Sequence, residues 1–499
     1  MKRKKFDIIV IILILMLAIS IPAKTFQNDT FYIIKVGESI VNNGIDMLDH
    51  FSIHNIMYPY EHWLHDLIIF FIYSKTGFVG LYISNMVFTF ILGLILYFCS
   101  KKLYKNKYVS LIITISVIIL LQPFIATRAQ LVSYILFALE IFFLEMITST
   151  GKWKYGIFLI IDSVFLVNVH ATTWPMYLFL FIPYFISCLL SNYKNKKICT
   201  KELNSYKKSV SMLFDKLFLF TDNKIKIDKF KFIKKLIIVF LLCILTGFIN
   251  PNCNQSFTHF VKLKLGITLS FISEHQPIVL YNNVLFLIYL SIIIMYLIFS
   301  RAKISIKDFI ILSGLLFLTL SSYRHMALFL VIGSFSVVNL FSSIKISKKA
   351  NKKKIVLLIS FIILYLSIFN FVNNISKNYV SDIYPIEAAQ FINENCDKSK
   401  MRLYNDYDYG SYLMYKDIPV FIDSRANLYT KQFNHLDRDI ANDWYTIYKT
   451  GHYKKIFKIY NITNALVPKD SIIDKSLRLE NDYEIIYQDK KFVLFQIKD

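Results

Sequence analysis

The sequence is poor in charge and lacks the short motifs by which many soluble enzymes are recognised. Asp, Glu, Lys and Arg make up 18% of its 499 residues, where an ordinary globular protein has about 25%. It contains no GxSxG, Walker A or dinucleotide-binding motif, and its six cysteines form neither a CxxC pair nor a cluster with histidine. These absences exclude a single soluble enzyme, and they argue against a zinc site, ATP-driven transport and chemistry on a nucleotide-sugar.

Hydrophobic residues are abundant instead. They make up 55% of the chain, and the mean hydropathy is +0.48. They are concentrated in apolar runs, and about 20 such residues are needed to cross a bilayer. We therefore predict a polytopic α-helical membrane protein with about eleven transmembrane helices in residues 1–375. The predicted spans are residues 7–22, 78–98, 108–121, 131–147, 155–169, 174–190, 236–249, 283–299, 309–320, 326–341 and 355–371.

The excess of basic residues marks one face of this membrane protein. There are 57 basic and 34 acidic residues, a net charge of +23. Basic clusters occupy alternate gaps between the spans, as expected when Lys and Arg stay in the cytoplasm. Together with the Ile-, Lys- and Asn-rich composition, this pattern predicts a multi-pass protein of the bacterial plasma membrane, with a cytoplasmic N-terminus and no nucleic-acid partner. The clusters are residues 1–5, 101–107, 151–154, a long cytoplasmic loop at 192–235, 301–307 and 345–354.

Residues 380–499 differ in character from the rest of the chain. Their alternating helix and strand patterns predict a small extracytoplasmic α/β domain. We expect a helix after Pro385, short strands at 401–405 and 419–423, a helix at 432–448, a strand at 465–467 and a hairpin of 483–487 with 492–496. Four polar residues at the expected strand ends could bind a ligand, although turns and a structural Asp–Arg pair are the simpler explanation. They are Asp406, Asp408, Asp423 and Arg425.

The first outer loop, residues 24–77, carries most of the polar groups near the membrane. Its amphipathic segments 30–42 and 60–73 predict two helices on the outer leaflet. Asp29 stands immediately before the first helix, where it can serve as a general base or as a helix N-cap. Four candidates for substrate binding lie near the start of the second helix, where a solvated helix face is the alternative for the acids. They are Glu61, His62, His65 and Asp66.

This layout resembles the membrane glycosyltransferases with the GT-C fold, such as protein O-mannosyltransferases, aminoarabinose transferases and oligosaccharyltransferase catalytic subunits. The matching segments are DTFYIIKVGESIVNNGIDMLDHFS (29–52), YPYEHWLHD (58–66) and RLYNDYDYGSYLMYKDIPVFIDSRANLY (402–429). The resemblance implies a polyprenyl-phosphate-linked sugar donor within the membrane lipid, an extracytoplasmic glycan, lipid or protein acceptor, and a base at Asp29. It implies no firm cofactor; a divalent metal is compatible with it. One departure is that Thr30 follows Asp29, where the O-mannosyltransferase type has a second acid.

Two arginines stand against the charge pattern, because Arg128 and Arg324 lie at the outer ends of predicted spans. Arginine binds phosphate through two parallel hydrogen bonds, so both are candidates for holding the donor phosphate. Contact with lipid headgroups is the alternative. Three histidines at outer positions are further candidates for substrate binding, with structural roles as the alternative: His170, His275 and His325.

The leading hypothesis is therefore a membrane glycosyltransferase of the inverting GT-C type. A transporter or flippase of lipid-linked intermediates is a second hypothesis, and it would need charges deep in the spans. Only Glu140, Glu145 and Asp162 approach that condition. A non-catalytic envelope assembly protein is a third, in which residues 380–499 would bind cell-wall components.

Overall fold

The structure is a computed structural model that describes residues 3–197, 218–219, 229–258, 262, 271–300, 303–342, 344 and 352–498. Most of the predicted cytoplasmic loop 192–235 and of the basic cluster 345–354 lies outside the described residues. Each of the eleven predicted spans overlaps a helix. The helices are α1 (Arg3–Ser20), α2 (Asn28–Asn43), α3 (Trp63–Tyr104), α4 (Lys107–Leu120), α5 (Ala129–Thr150), α6 (Trp153–Val169), α7 (Trp174–Phe179), α8 (Phe181–Lys197), α9 (Lys229–Thr246), α10 (Val284–Ser300), α11 (Ile306–Ser321), α12 (Met326–Phe341) and α13 (Lys352–Ile375).

Five helical segments of the described chain are long and apolar enough to cross a membrane. They are Trp63–Tyr104, Ala129–Thr150, Leu280–Ser300, Tyr323–Phe341 and Val356–Ile375. The structure is thus mostly helical and carries several apolar spans, as the composition predicts. The count of eleven spans stays a prediction.

The helical bundle has two distinct ends. At one end, Lys101 Nζ lies 2.5 Å from Asp7 Oδ1, and the Asn106 side chain donates to the Ser342 carbonyl at 3.3 Å. At the other, the Asn374 side chain donates to the Ser20 carbonyl at 3.3 Å. We call the first the basic end, because the clusters at 101–107 and 151–154 lie there, and the second the site end.

Both helices predicted in the first outer loop are present. Residues 28–43 are helical, as predicted, but half of α2 is buried beneath the C-terminal segment. The predicted helix 60–73 continues into the next span as α3. Its only break is Gly77, whose φ of 61° lies in the left-handed region that glycine adopts without strain. α2 is packed between α3 and the C-terminal segment. The position of both helices on the outer leaflet stays a prediction.

The C-terminal segment contains a four-stranded sheet in the order β3–β4–β6–β5. The predicted helix after Pro385 and the predicted hairpin are confirmed. The predicted strand at 419–423 is wrong, because this segment pairs only through an isolated bridge between Ser52 and Val420. The bundle contains one short parallel pair of strands among its described residues, β1 (Phe218–Leu219) and β2 (Ile304–Ser305). The elements of the C-terminal segment, residues 380–498, are α14 (Ile386–Asn395), β3 (Leu403–Tyr404), α15 (Tyr407–Tyr415), α16 (Lys431–Asn434), α17 (Ile440–Thr450), α18 (Lys454–Tyr460), β4 (Asn464–Pro468), α19 (Ile472–Arg478), β5 (Tyr483–Gln488) and β6 (Phe492–Ile497).

The predicted helix 432–448 is likewise wrong in extent, since the chain forms α16 and α17 with an irregular connection between them. The sheet and its helices share one hydrophobic core with the outer loop, including Phe31 and Tyr58. The Arg425 guanidinium ties the two regions together. It lies 2.7 Å from Asp49 Oδ1 in the loop and 2.7 Å from Asp423 Oδ2. This core fixes α2, and hence Asp29, against the C-terminal segment.

Candidate functional site

Arg128 joins two acids from distant parts of the chain at the site end. Its Nε lies 3.0 Å from Asp29 Oδ2, and its Nη1 lies 2.7 Å from Glu274 Oε1. Asp29 comes from the first turn of α2, Arg128 from the residue that precedes α5, and Glu274 from a single 3-10 turn, Ser273–His275. The Asp29 side chain makes no capping hydrogen bond, and Gln27 is the N-cap of α2. The N-cap alternative for Asp29 is therefore wrong.

Glu274 is held as an anion by this arrangement. Burial acts to raise its pKa, but the charge and hydrogen bond of Arg128 outweigh burial, so the pKa lies below its usual range. The same ion pairs raise the pKa of Arg128 despite its burial. Arg128 and Glu274 thus stay charged together at the site end.

The turn Ser273–His275 also positions a second arginine, Arg324. Arg324 Nη1 donates to His275 Nε2 at 2.8 Å. The Ser322 hydroxyl donates to the Glu274 carbonyl at 3.0 Å, and the Tyr323 amide donates to the Gln276 carbonyl at 2.9 Å. Burial first, and then the Arg324 charge, lower the pKa of His275 to about 3. His275 is therefore a neutral acceptor that orients Arg324.

The histidines of the outer loop and of the α6 end lie beside these arginines. His62 Nδ1 donates to Asp66 Oδ2 at 3.1 Å, and its ring centre is 6.1 Å from that of His170. His170 Nδ1 in turn shares a 2.9 Å hydrogen bond with the Ser133 hydroxyl. Burial, followed by the charge of His62, lowers the pKa of His170 well below its usual value.

Two clefts meet at the arginines. A polar cleft lies between the outer loop, the bundle and the C-terminal segment. A largely apolar cleft runs between α5, α7 and α12. Both are lined by a shared set of residues: Arg128, Gln130, His170, Thr172, Glu274 and Arg324.

The structure brings most of the candidate residues from the sequence to these clefts. The polar cleft is lined by Asp29, Glu61, His62, Arg128, His170, His275 and Arg324. His325 lines only the apolar cleft. His65 and Asp66 are buried behind His62 and line neither cleft. In this structure they are therefore not positioned to contact a substrate directly. In the C-terminal segment, Arg425 also lines the polar cleft, and its pairing with Asp423 agrees with the structural explanation.

The remaining two acids of the C-terminal segment lie outside the clefts. Asp406 accepts a 3.1 Å hydrogen bond from the Trp444 indole, and burial raises its pKa to about 6. Burial also raises the pKa of Asp408. Asp406, Asp408 and Asp423 are therefore not residues of the site.

Comparison with known proteins shows the fold. No protein-family model and no curated protein matches the sequence. The archaeal oligosaccharyltransferase AglB from Archaeoglobus fulgidus, in complex with an inhibitory peptide and a dolichol-phosphate, has a TM-score of 0.61 at 10% identity over 93% of this chain and 70% of that chain. ArnT from Cupriavidus metallidurans bound to undecaprenyl phosphate has a TM-score of 0.52 at 8% identity over 99% of this chain and 98% of that chain. The chain has the GT-C fold.

The acids of this GT-C cleft do not fit a divalent cation. Arg128 lies between Asp29 and Glu274 and pairs with both, so an added cation would have to displace Arg128 and would meet the charges of Arg128 and Arg324. Within the described ranges, no group of three or more His, Cys, Asp or Glu side chains is arranged to hold a metal. No step proposed below uses one.

Some lining residues of the two clefts are not among the candidates chosen from the sequence. The pairing of Glu274 with Arg128 spans 146 positions, although Glu274 stands next to the candidate His275. Tyr32, Tyr407 and Asn427 also line the polar cleft, and they belong to the segments that carry the resemblance. The resemblance of those segments to a known family is the sequence signal that could have identified these three residues.

Proposed function

We propose that the protein is a glycosyltransferase that moves a sugar from a polyprenyl-phosphate carrier to an acceptor outside the cytoplasm. The observation that carries the proposal is the meeting of a polar and an apolar cleft at Arg128 and Arg324. A lipid-linked sugar has the same division, with an apolar chain, a phosphate and a polar sugar in sequence. The two guanidinium groups would hold the phosphate at the junction.

The remaining groups suit an inverting transfer. The isoprenoid chain would occupy the apolar cleft between α5, α7 and α12, and the sugar would occupy the polar cleft. Asp29 uses one carboxylate oxygen for Arg128, which leaves the other to accept the proton of the acceptor hydroxyl or amine. The arginines would stabilise the charge that develops on the leaving phosphate.

The C-terminal segment would form the acceptor side of the site. Residues 424–428 and Tyr407 line the polar cleft opposite the bundle. Tyr32 and Tyr58 add aromatic surface of the kind that binds sugars and other ring-bearing groups. We propose a multi-pass location in the bacterial plasma membrane with a cytoplasmic N-terminus, which places the cleft and the C-terminal segment outside the cytoplasm.

The proposal is tested with undecaprenyl phosphate and undecaprenyl-phosphate sugars in lipid nanodiscs. We expect the protein to bind undecaprenyl phosphate and to release it from at least one sugar-bearing donor. Arg128→Gln and Arg324→Gln should each weaken binding about tenfold or more, because each removes a charged hydrogen-bond donor. Arg478→Gln is the matched control, because Arg478 pairs with Asp474 on α19.

The proposal fails if undecaprenyl phosphate binds the wild type and both arginine variants equally. It also fails if proteoliposomes carry the lipid-linked sugar across the bilayer without consuming it, which is the behaviour of a flippase.

A further inference from the structure

A buried carboxylate fixes one of the histidines of the polar cleft. The side chain of Asp66 is completely buried, while that of His62 is 16% exposed. The two residues are four apart on the same face at the start of α3, which brings His62 Nδ1 to 3.1 Å from Asp66 Oδ2. Because Nδ1 is bonded to the carboxylate, Nε2 is the ring nitrogen available to the cleft.

The charges around His62 favour its protonated form. Asp66 and Glu61 come from its own segment and Asp29 from α2, while His170 and the Tyr32 ring face it from other elements. Burial lowers the pKa of His62, but Asp66 chiefly, and then Glu61 and Asp29, raise it above the usual value. A buried carboxylate also needs a partner, which the imidazolium provides.

The position of His62 matches one particular bond of the donor. His170 lines both clefts, and His62, next to it, lines the polar cleft alone. If Arg128 and Arg324 hold the phosphate at the junction, with the isoprenoid chain in the apolar cleft, the oxygen that bridges phosphate and sugar would point into the polar cleft. That oxygen is the atom that leaves with the phosphate.

We propose, on the basis of the proposed transferase function, that His62 is the catalytic acid of the site and Asp66 its positioning residue. The acceptor oxygen forms a bond to the anomeric carbon as the bond from that carbon to the bridging oxygen breaks. The electron pair of the broken bond stays on the bridging oxygen, which takes the proton from His62 Nε2. The acceptor proton goes to Asp29, and exchange with water restores both side chains, so the products are the glycosylated acceptor and polyprenyl hydrogen phosphate.

The test uses undecaprenyl phosphate, whose phosphate occupies the position of the leaving group and whose binding needs no knowledge of the sugar. We measure its dissociation constant from pH 5.5 to 9 for the wild type, His62→Gln and His452→Gln. His452 is an exposed residue of the C-terminal segment and serves as the control. The phosphate's own ionisation is common to all three proteins, so the ratio of constants isolates the histidine.

At pH 6 the wild type should bind about tenfold more tightly than His62→Gln, since a charged hydrogen bond is lost. The ratio should fall towards one as the pH rises and the wild-type ring loses its proton. Asp66→Asn should move this change to lower pH, because the carboxylate that raises the pKa of His62 is gone. His65→Gln removes the other contact to Asp66, at 3.4 Å, and its binding should still change with pH.

A ratio that stays constant with pH overturns the assignment of His62, even where transfer occurs. An equal loss of the pH dependence in His65→Gln also overturns it, since the effect would then be structural. Absence of undecaprenyl phosphate binding by the wild type overturns the proposed function itself, and the two failures are therefore distinguishable.

Discussion

Two arginines of this protein each pair with two acids, but one arginine is almost fully buried and the other is partly exposed. Arg425 lies between Asp49 and Asp423, and Arg128 lies between Asp29 and Glu274. The Arg425 side chain is 4% exposed and its two acids are fully buried, whereas Arg128 is 22% exposed. The difference shows that ion pairing alone does not distinguish a structural arginine from a ligand-binding one. Both arginines line the polar cleft, and what distinguishes them is the exposure of the guanidinium group and of the acids paired with it.

Aromatic groups enclose Arg425, Asp49 and Asp423, which we call the closed cluster. The Arg425 guanidinium lies 5.2 Å from the centre of the Phe51 ring and 4.8 Å from that of Tyr58. The Tyr429 hydroxyl donates to Asp423 Oδ2 at 2.5 Å. Every charge in this cluster is therefore satisfied internally, while the acids around Arg128 keep oxygens that face the cleft.

The largest expected effect on stability follows from breaking the closed cluster. Arg425→Gln leaves Asp49 and Asp423 buried without a cation, which costs about 3–5 kcal/mol. The measurement is thermal unfolding of the purified protein in nanodiscs, with Arg478→Gln as the control. A melting temperature equal to that of the wild type would contradict the structural role of Arg425.

Asp29→Asn should affect activity far more than folding. The asparagine keeps the shape of the side chain but cannot accept the proton, so turnover should fall about 10²–10⁴-fold. Thermal unfolding should change little, because Asp29 is 20% exposed. Asp417→Asn is the matched control, since Asp417 forms an exposed pair with Lys35. Unchanged release of undecaprenyl phosphate would remove Asp29 from the mechanism.

The contact between the outer loop and the C-terminal segment should weaken in acid. His54 is buried in this contact, where its Nε2 bonds the Phe421 carbonyl at 2.8 Å. Burial lowers its pKa to about 4 from the usual 6.5. The unfolded chain therefore binds a proton that the folded chain does not, and stability is lost as the pH falls from 6.5 towards 4.

Thermal unfolding across this pH window checks the effect, and His54→Gln should flatten the profile. A variant that loses stability with acid as steeply as the wild type would show that other groups are responsible.

The smallest effect is expected in the middle of the bundle. Glu140 and Asp162 are buried in α5 and α6, and neither carboxylate oxygen of Glu140 has a hydrogen-bond partner among the described residues. A buried carboxyl group whose oxygens accept no hydrogen bond can be replaced by its amide at little cost, so Glu140→Gln should leave donor turnover and the melting temperature almost unchanged. Loss of function in this variant would instead favour the transporter hypothesis, which depends on charge at this depth.

The comparison of the two arginines also shows what could be read from the sequence. Arg128 and Arg324 can be identified from the sequence because they oppose the charge pattern of the loops, whereas for Arg425 the sequence leaves a ligand group and a structural Asp–Arg pair as alternatives, with the pair the simpler one. The apolar runs predicted the helices, since periodicity and length are local properties. The GT-C fold is what the resemblance of the layout and of the loop motifs to a known family implies.

Other features depend on contacts that no local pattern records. The segment at 419–423 has the composition of a strand, but Val420, Phe421 and Ile422 are instead buried where the outer loop meets the sheet. Glu274 joins the site only because its turn docks against residues 322–324. Such partners are distant in sequence, and tertiary packing selects them.

The glycine break in α3 has a mechanical consequence. At 1.5 Å per residue, the 42 residues of this helix would extend about 63 Å, roughly twice the thickness of the hydrocarbon core. Gly77 divides it into a short arm that holds His62 and Asp66 and a longer arm that continues to the basic end. The long arm can change its tilt in a thinner or thicker bilayer while the short arm stays fixed. His62 and Asp66 therefore need not follow the long arm when its tilt changes.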